Sequence, residues 1–207
     1  MADWVIRLSV VYLLLAFGLR GAVQWYRTGS TGFNGIPLHG RVDEWVGGML
    51  FIAAFVLAAL APVLDRRGVL SPLAGLDSGA GHALGFVLYI LGVAGTLYAQ
   101  FAMGASWRVG VDASERTALV TRGPFIYIRN PIYTAMMVAM IGLALLVPNL
   151  VAVGAVVVMI AALEMHVRLV EEPHLIRTHG TAYTAYAART GRFLPGIGGL
   201  RPQISAD

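Results

Sequence analysis

Two stretches of the chain carry the residue types that chemistry needs. Residues 121–134, TRGPFIYIRNPIYT, crowd prolines, arginines, an asparagine and aromatic rings against the start of a long apolar run. Residues 168–195, RLVEEPHLIRTHGTAYTAYAARTGRFLP, follow the last apolar run with paired glutamates, arginines and tyrosines. Asn130-Pro131 reads as a helix start, because asparagine is favoured at the N-cap and proline at the first helical position. A helix start also presents unpaired N–H groups and the positive end of the helix dipole, which suit a carboxylate. Arg168 stands i,i+4 from both Glu164 and Glu172, the spacing of a solvated helix face. Ionisable groups beside membrane-length apolar runs are nonetheless functional candidates. Glu171 and Glu172 point about 100° apart on a helix, so one of the two faces any given site. Tyr183 and Tyr186, at i,i+3, suit either an interfacial anchor or the wall of a ligand site.

Two other patterns lead elsewhere. SGAGHALG (78–85) has no preceding strand and its third glycine is misplaced for a dinucleotide loop, so it reads as a glycine-rich helix start. Glu171-x-x-His174 is a single pair, whereas a helical di-iron site needs two such pairs and two further carboxylates. His39, His82, His166 and His179 show no metal spacing. No metal is expected.

The elements that must position these residues are set by composition. The 207 residues are 57% hydrophobic and 13% charged, with a mean hydropathy of +0.72; a soluble domain averages roughly 25% charged. The absence of cysteine excludes disulfides, thiolate metal sites and a cysteine nucleophile. Every basic residue is arginine, which removes Schiff-base and P-loop lysines. The net charge of +4 is a topology signal rather than a nucleic-acid footprint, since no basic patch is interleaved with exposed polar sequence.

A span needs roughly 20 apolar residues. Five runs qualify, at about 5–23, 44–64, 82–103, 132–147 and 149–167, and the expectation is an all-α integral membrane protein with five transmembrane helices. The first run lacks a cleavage site and reads as a retained span, with Arg7 and Arg20 snorkelling toward opposite interfaces. The loops at 24–43 and 104–131 and the tail collect Arg27, Arg41, Arg108, Arg116, Arg122, Arg129, Arg177, Arg189, Arg192 and Arg201. The other side holds Arg66, Arg67 and Arg7. The positive-inside rule then places the C-terminus in the cytoplasm and the N-terminus outside. Pro148-Asn149 allows only a tight turn, predicting an antiparallel hairpin of the last two spans. The last helix should run on into the cytoplasm and end at Gly180, followed by a short helix over about 181–190 stopped by Gly191. The chain reads as one domain: three spans over 1–103, a chemically rich core over 104–195 with its hairpin and cytoplasmic helices, and a flexible tail at 196–207. The WYRTGSTGFNGIPLHGR loop (25–41) is too glycine-rich to be helical and either gates a lipid entrance or merely connects.

LVTRGPFIYIRNPIYT (119–134), followed after a helical hairpin by RLVEEPHLIRTHGTAYTAYAARTGRFLP (168–195), resembles the isoprenylcysteine carboxyl methyltransferase family, grouped with the phospholipid methyltransferases. MGASWRVGVD (103–112) looks like the segment that family places just upstream. The resemblance covers about 105–195. It implies S-adenosylmethionine in a cytoplasm-facing pocket enclosed by the C-terminal helices. Leu119, Val120, Gly123, Pro124, Tyr127, Asn130, Pro131, Tyr133 and Tyr183 would line that pocket, with Glu171 or Glu172 closing the far side. Arg129, Arg168 and Glu172 would serve the reaction. The family commonly has histidine where Asn130 stands, which bears on the acceptor rather than on fold or cofactor. The implied activity is methyl transfer to a lipophilic, membrane-partitioning acceptor carrying a carboxylate, thiol or amine. A nicotinamide-dependent membrane reductase and a non-catalytic protein on the same scaffold are the alternatives.

Overall fold

The computed structural model describes residues 1–33, 42–110 and 117–200, apart from the side chains of 43 and 44. Arg41, Arg116, His39, residues 34–41 of the glycine-rich loop and residues 201–207 of the tail lie outside the described residues. Within them the regular structure is helical, interrupted only by isolated β-bridges. We number the helices α1 (Ala2–Thr28), α2 (Val42–Arg66), α3 (Gly79–Met103), α4 (Pro131–Leu146), α5 (Leu150–His179) and α6 (Thr181–Arg189).

Helices α1, α2, α3 and α5 are long and apolar enough to cross a membrane. The fourth expected span is shorter: α4 has 16 residues, and at about 1.5 Å per residue it falls short of a hydrocarbon core about 30 Å thick. Four helices of membrane length make this a multi-pass membrane protein. Helix α1 also runs further than expected. Residues 25–28, assigned to a loop on composition, continue the helix until Gly29 ends it at φ 74°. The left-handed conformation there is one that glycine adopts without steric cost.

Helix ends follow their local chemistry. Ser78 caps α3 by accepting from the Gly81 N–H at 3.1 Å, so SGAGHALG is a glycine-rich helix start. Asn149 is buried and caps α5 through the Ala152 N–H at 2.9 Å, while its amide donates to Ala61. Helix α5 is the single long helix expected, ending where Gly180 turns the backbone at φ 53°. It is not regular throughout, because Val167–Glu171 forms a π-helical turn. Pro173 explains this: it has no N–H for the ladder and its ring crowds the preceding turn, and widening that turn relieves both.

The hairpin joining α4 and α5 is tight, but its helices pair elsewhere. Helix α4 packs along α3 and α5 along α2, while α4 and α5 touch each other little. Small residues decide this. A Cβ on Gly92 would stand 2.3 Å from the Ala139 nitrogen, and one on Gly142 would stand 2.5 Å from the Tyr89 nitrogen. Apolar helices gain little from mere burial in lipid, so such close backbone approach is what selects partners. Helix α1 joins α3 through polar ties instead. The Tyr89 hydroxyl donates to Leu8 at 2.7 Å, and the Gln100 amide donates to Ala16 at 2.9 Å.

Gly92→Val should therefore push α3 from α4 and cost about 1–3 kcal/mol or more, as overpacking does. Gly79→Ala, with nothing within 4 Å of the new Cβ, should leave the melting temperature in detergent unchanged. Equal melting of the two variants would refute this account of the helix pairing.

Candidate functional site

The start of α4 is built by pairing with the chain's far end. After Gly123, at φ 60°, a short 3-10 turn over Gly123–Ile126 leads into a strand-like stretch. There the Arg129 N–H donates to Gly191 at 2.8 Å and the Asn130 N–H donates to Arg192 at 3.1 Å. Gly191 is required at this crossing, since a Cβ would lie 1.8 Å from the Leu194 carbonyl. Asn130 precedes α4 with Pro131 at the first position, but its side chain makes no cap. Its amide donates instead to the Arg192 carbonyl at 3.1 Å, and Thr134 donates to Phe193 at 2.7 Å.

Beneath this pairing lies a buried charge cluster. Arg129 donates through Nη1 to the carbonyls of Ala187 and Thr190. Its Nη2 donates to Gly198 at 2.9 Å and to Glu172 Oε1 at 2.6 Å. Arg192 reaches the same carboxylate in a fork, Nε to Oε1 at 2.8 Å and Nη2 to Oε2 at 3.0 Å. Glu172 is 5% exposed. The carboxylate in turn raises the Arg192 pKa, holding its guanidinium charged. Two cations and a bidentate geometry are what a buried carboxylate requires.

Above the cluster opens a cavity of about 650 Å³, within the range of small-molecule sites. Leu119, Val120, Arg129, Asn130, Pro131, Tyr133, Glu171 and Tyr183 line it, so residues from both chemically rich stretches converge there. Glu171 faces the cavity, while Glu172 is turned into the arginine cluster and does not line it. The π-helical turn contributes to this division, since its extra residue shifts the helix face. Tyr133 donates to Glu171 Oε1 at 2.5 Å. His166 Nε2 lies 3.2 Å from the same oxygen, with its ring edge-on to Tyr133 at 6.3 Å.

Tyr183 and Tyr186 are both buried, so they are wall residues rather than interfacial anchors. The Tyr186 hydroxyl donates to Phe125 at 2.6 Å, fixing the 3-10 turn against α6. Burial raises the Tyr183 phenol pKa and pushes that of Tyr186 up to about 12. Both rings stay neutral at physiological pH.

Besides Glu172, four expected site residues stand apart from the cavity. Arg168 is exposed and paired with Glu164 on the outer face of α5. Tyr127 is 66% exposed, and Gly123 and Pro124 shape the turn without lining the wall. Three wall or cluster residues were not anticipated. Arg192 could have been suspected as a lone cation inside the apolar GRFLP stretch. His166 stands five residues before Glu171, a spacing that aligns only across a π-helical turn. Trp107 is buried and lines the same cavity with Phe17, Phe33, Phe51, Gln100 and Met103. This aromatic part of the wall comes from residues 17–107.

Residues 80–182 match the phospholipid methyltransferase family model. The fold is similar to that of a eukaryotic intramembrane Ras methyltransferase, isoprenylcysteine carboxyl methyltransferase, with a TM-score of 0.61 and 18% identity. The match covers 95% of this chain and 69% of that one. No curated protein sequence matches the chain significantly.

Removing one arginine leaves Glu172 buried with an incomplete shell, a change that costs about 3–5 kcal/mol in comparable buried pairs. Arg129→Met should lower the melting temperature sharply. Arg168→Met, at an exposed pair whose contribution is about 0–1 kcal/mol, should barely move it. Similar melting temperatures for both variants would contradict the structural role given to Arg129.

Proposed function

We propose, from the match of residues 80–182 to the phospholipid methyltransferase family model, that this chain is an integral-membrane methyltransferase that carries out S-adenosylmethionine-dependent methyl transfer to a lipophilic acceptor. The observation that carries the proposal is the mixed lining of one cavity. Its wall combines a carboxylate, a helix start and tyrosine faces with aromatic rings from α1, α2 and the Trp107 segment.

The polar side fits the donor on three counts. Glu171 engages its neighbours through Oε1, and its carboxylate suits an α-ammonium or ribose hydroxyls. The first turn of α4 keeps unpaired N–H groups, since Asn130 does not cap it, and these suit a carboxylate. Arg129 Nε is buried without a hydrogen-bond partner, and the residue lines this side. When bound, S-adenosylmethionine supplies an electrophilic methyl group on a sulfonium.

The protein's own part is positioning and exclusion of water. Tyr183 presents a neutral ring face that can pack against adenine or the sulfonium, a contact worth about 0.5–2 kcal/mol. Tyr133 keeps Glu171 aimed along the wall. Glu172 and Arg129 hold the two stretches together, so their contribution to the reaction runs through geometry. Holding acceptor and methyl about 3–3.5 Å apart lowers the barrier by several kcal/mol. The acceptor head, a carboxylate, thiol or amine, enters from the aromatic side. On this reading the 16-residue α4, too short to span a full hydrocarbon core by itself, crosses together with its flanking segments beside α3 as a fifth span. The positive-inside rule assigns the cavity and C-terminus to the cytoplasmic face with the N-terminus outside.

Calorimetry on the purified protein tests this directly. S-adenosylhomocysteine should bind and NADPH should not. Glu171→Gln should weaken S-adenosylhomocysteine about tenfold, the scale of losing one charged hydrogen bond. Binding of NADPH alone, or undiminished affinity in the Glu171 variant, would sink the assignment.

A further inference from the structure

The aromatic side of the cavity is held in place by a residue outside the family-matched segment. Arg20 lies on α1, where the sequence predicts a side chain reaching for the interface. It is instead 2% exposed. Its Nη2 donates to the Gly104 carbonyl at 2.6 Å, just where α3 ends. Its guanidinium carbon stands 4.6 Å from the Trp107 ring centroid and 5.7 Å from that of Phe101. Nε and Nη1 make no hydrogen bond, so ring faces are the other main contact of this buried cation. One helical turn on, Gln24 donates to the Ala105 carbonyl at 2.9 Å. Two side chains of α1 therefore grip successive carbonyls of the turn that delivers Trp107 to the wall.

Trp107 has little freedom beyond this grip. A Cβ on Gly32 would come within 3.0 Å of the indole, and the Val109 N–H donates to Gly32 at 2.7 Å. Phe33 meets the indole edge-on at 5.8 Å. The indole is thus clamped between the Arg20 guanidinium, the Gly32 backbone and Phe33. Its position fixes the shape of the part of the cavity wall that it lines.

We propose that Arg20 is a positioning residue for the acceptor side: by stacking on Trp107 and holding Gly104 it sets the wall that decides which lipophilic molecules enter. The inference rests on the reading that this side takes the acceptor. It requires arginine specifically, because only a planar guanidinium can stack on a ring face and donate in its plane at once. Lysine keeps the charge and loses that geometry.

The chain contains no cysteine, so single-cysteine reporters are unambiguous. Met103→Cys reports beside the Trp107 turn and Leu175→Cys, which packs beside Tyr183 and lines the cavity, on the polar side, both read by the rate of N-ethylmaleimide labelling. In the Arg20→Met background, labelling at Met103→Cys should change about tenfold or more, the scale of losing a desolvated cation–π contact. Labelling at Leu175→Cys and calorimetric affinity for S-adenosylhomocysteine should stay within about twofold, well inside a single hydrogen bond's worth. Arg20→Lys should behave like Arg20→Met. Gln24→Leu, which spares the stack, should shift the Met103→Cys rate in the same direction by a smaller factor, and serves where Arg20→Met does not fold.

Equal changes at both reporters would show general loosening and overturn the proposal. So would an unchanged Met103→Cys rate, or full rescue by lysine. Wild-type protein that fails to bind S-adenosylhomocysteine would overturn the functional reading and the acceptor role with it. Intact binding with no accessibility shift would overturn this inference alone.

Discussion

A carboxylate buried without partners would not stay ionised, and Glu172 is buried. Its Oε1 accepts from both Arg129 and Arg192 and its Oε2 from Arg192, and Arg129 also donates to carbonyls of residues 187, 190 and 198. This cluster joins the entry to α4, the last part of α5 and the segment beyond α6. None of those three stretches has an apolar core large enough to dock alone; the cluster of Tyr183, Tyr186 and Ala187 is small. Desolvating three charges is costly, and the attraction compensates only when the hydrogen-bond shell is nearly complete. A nearly complete shell also fixes register: the strand-like pairing of 128–130 with 191–193 has one arrangement that satisfies it. The cavity wall inherits that rigidity.

The rest of the protein solves a different problem. Between apolar helices in lipid there is little hydrophobic drive for association, so pairing must come from close contact or from polar ties. The α3–α4 pair uses the first, with backbones meeting at Gly92 and Gly142. The α1–α3 pair uses the second, through Tyr89, Gln100, Arg20 and Gln24. The two modes leave different surfaces behind. Glycine contacts close the gap between helices. Polar ties hold α1 at a longer reach, and it is beside α1 that the aromatic side of the cavity opens.

Apolar runs reported the helices well, to within a few residues, because hydrophobic length is a property of the solvent as much as of the fold. Two helix ends were legible from local chemistry: Gly180 because its positive φ favours glycine, and the start at 78–85 because Ser78 supplies a capping acceptor. What escaped the sequence depended on long-range partners. Asn130 had the right identity and place for a cap, yet the Arg192 carbonyl, 62 residues away, takes its amide. Arg168 and Arg129 are both arginines beside apolar runs, and only the fold distinguishes a solvated partner of Glu164 from a buried clamp. The choice between Glu171 and Glu172 turned on a π-helical turn before Pro173. A proline inside a helix signals a disturbance without saying which face it will turn inward.

These separate origins give the cavity an asymmetry with consequences for how such a protein can change. The polar side is assembled from residues 119–133 and 171–183, which lie within or next to the segment matched by the family model and are cross-braced by one charge cluster. Substitutions of Arg129 or Glu172 disturb the brace. The aromatic side is assembled from α1, α2 and the segment after α3, braced by Arg20 and Gln24 rather than by Glu172. The two braces share no residue. The walls they hold still meet, where Ser106 donates to the Ala118 carbonyl at 3.2 Å and where Phe17, Phe51 and Tyr133 pack on one cluster. Substitutions on the aromatic side away from those contacts are therefore the ones that leave the geometry of the polar side unchanged.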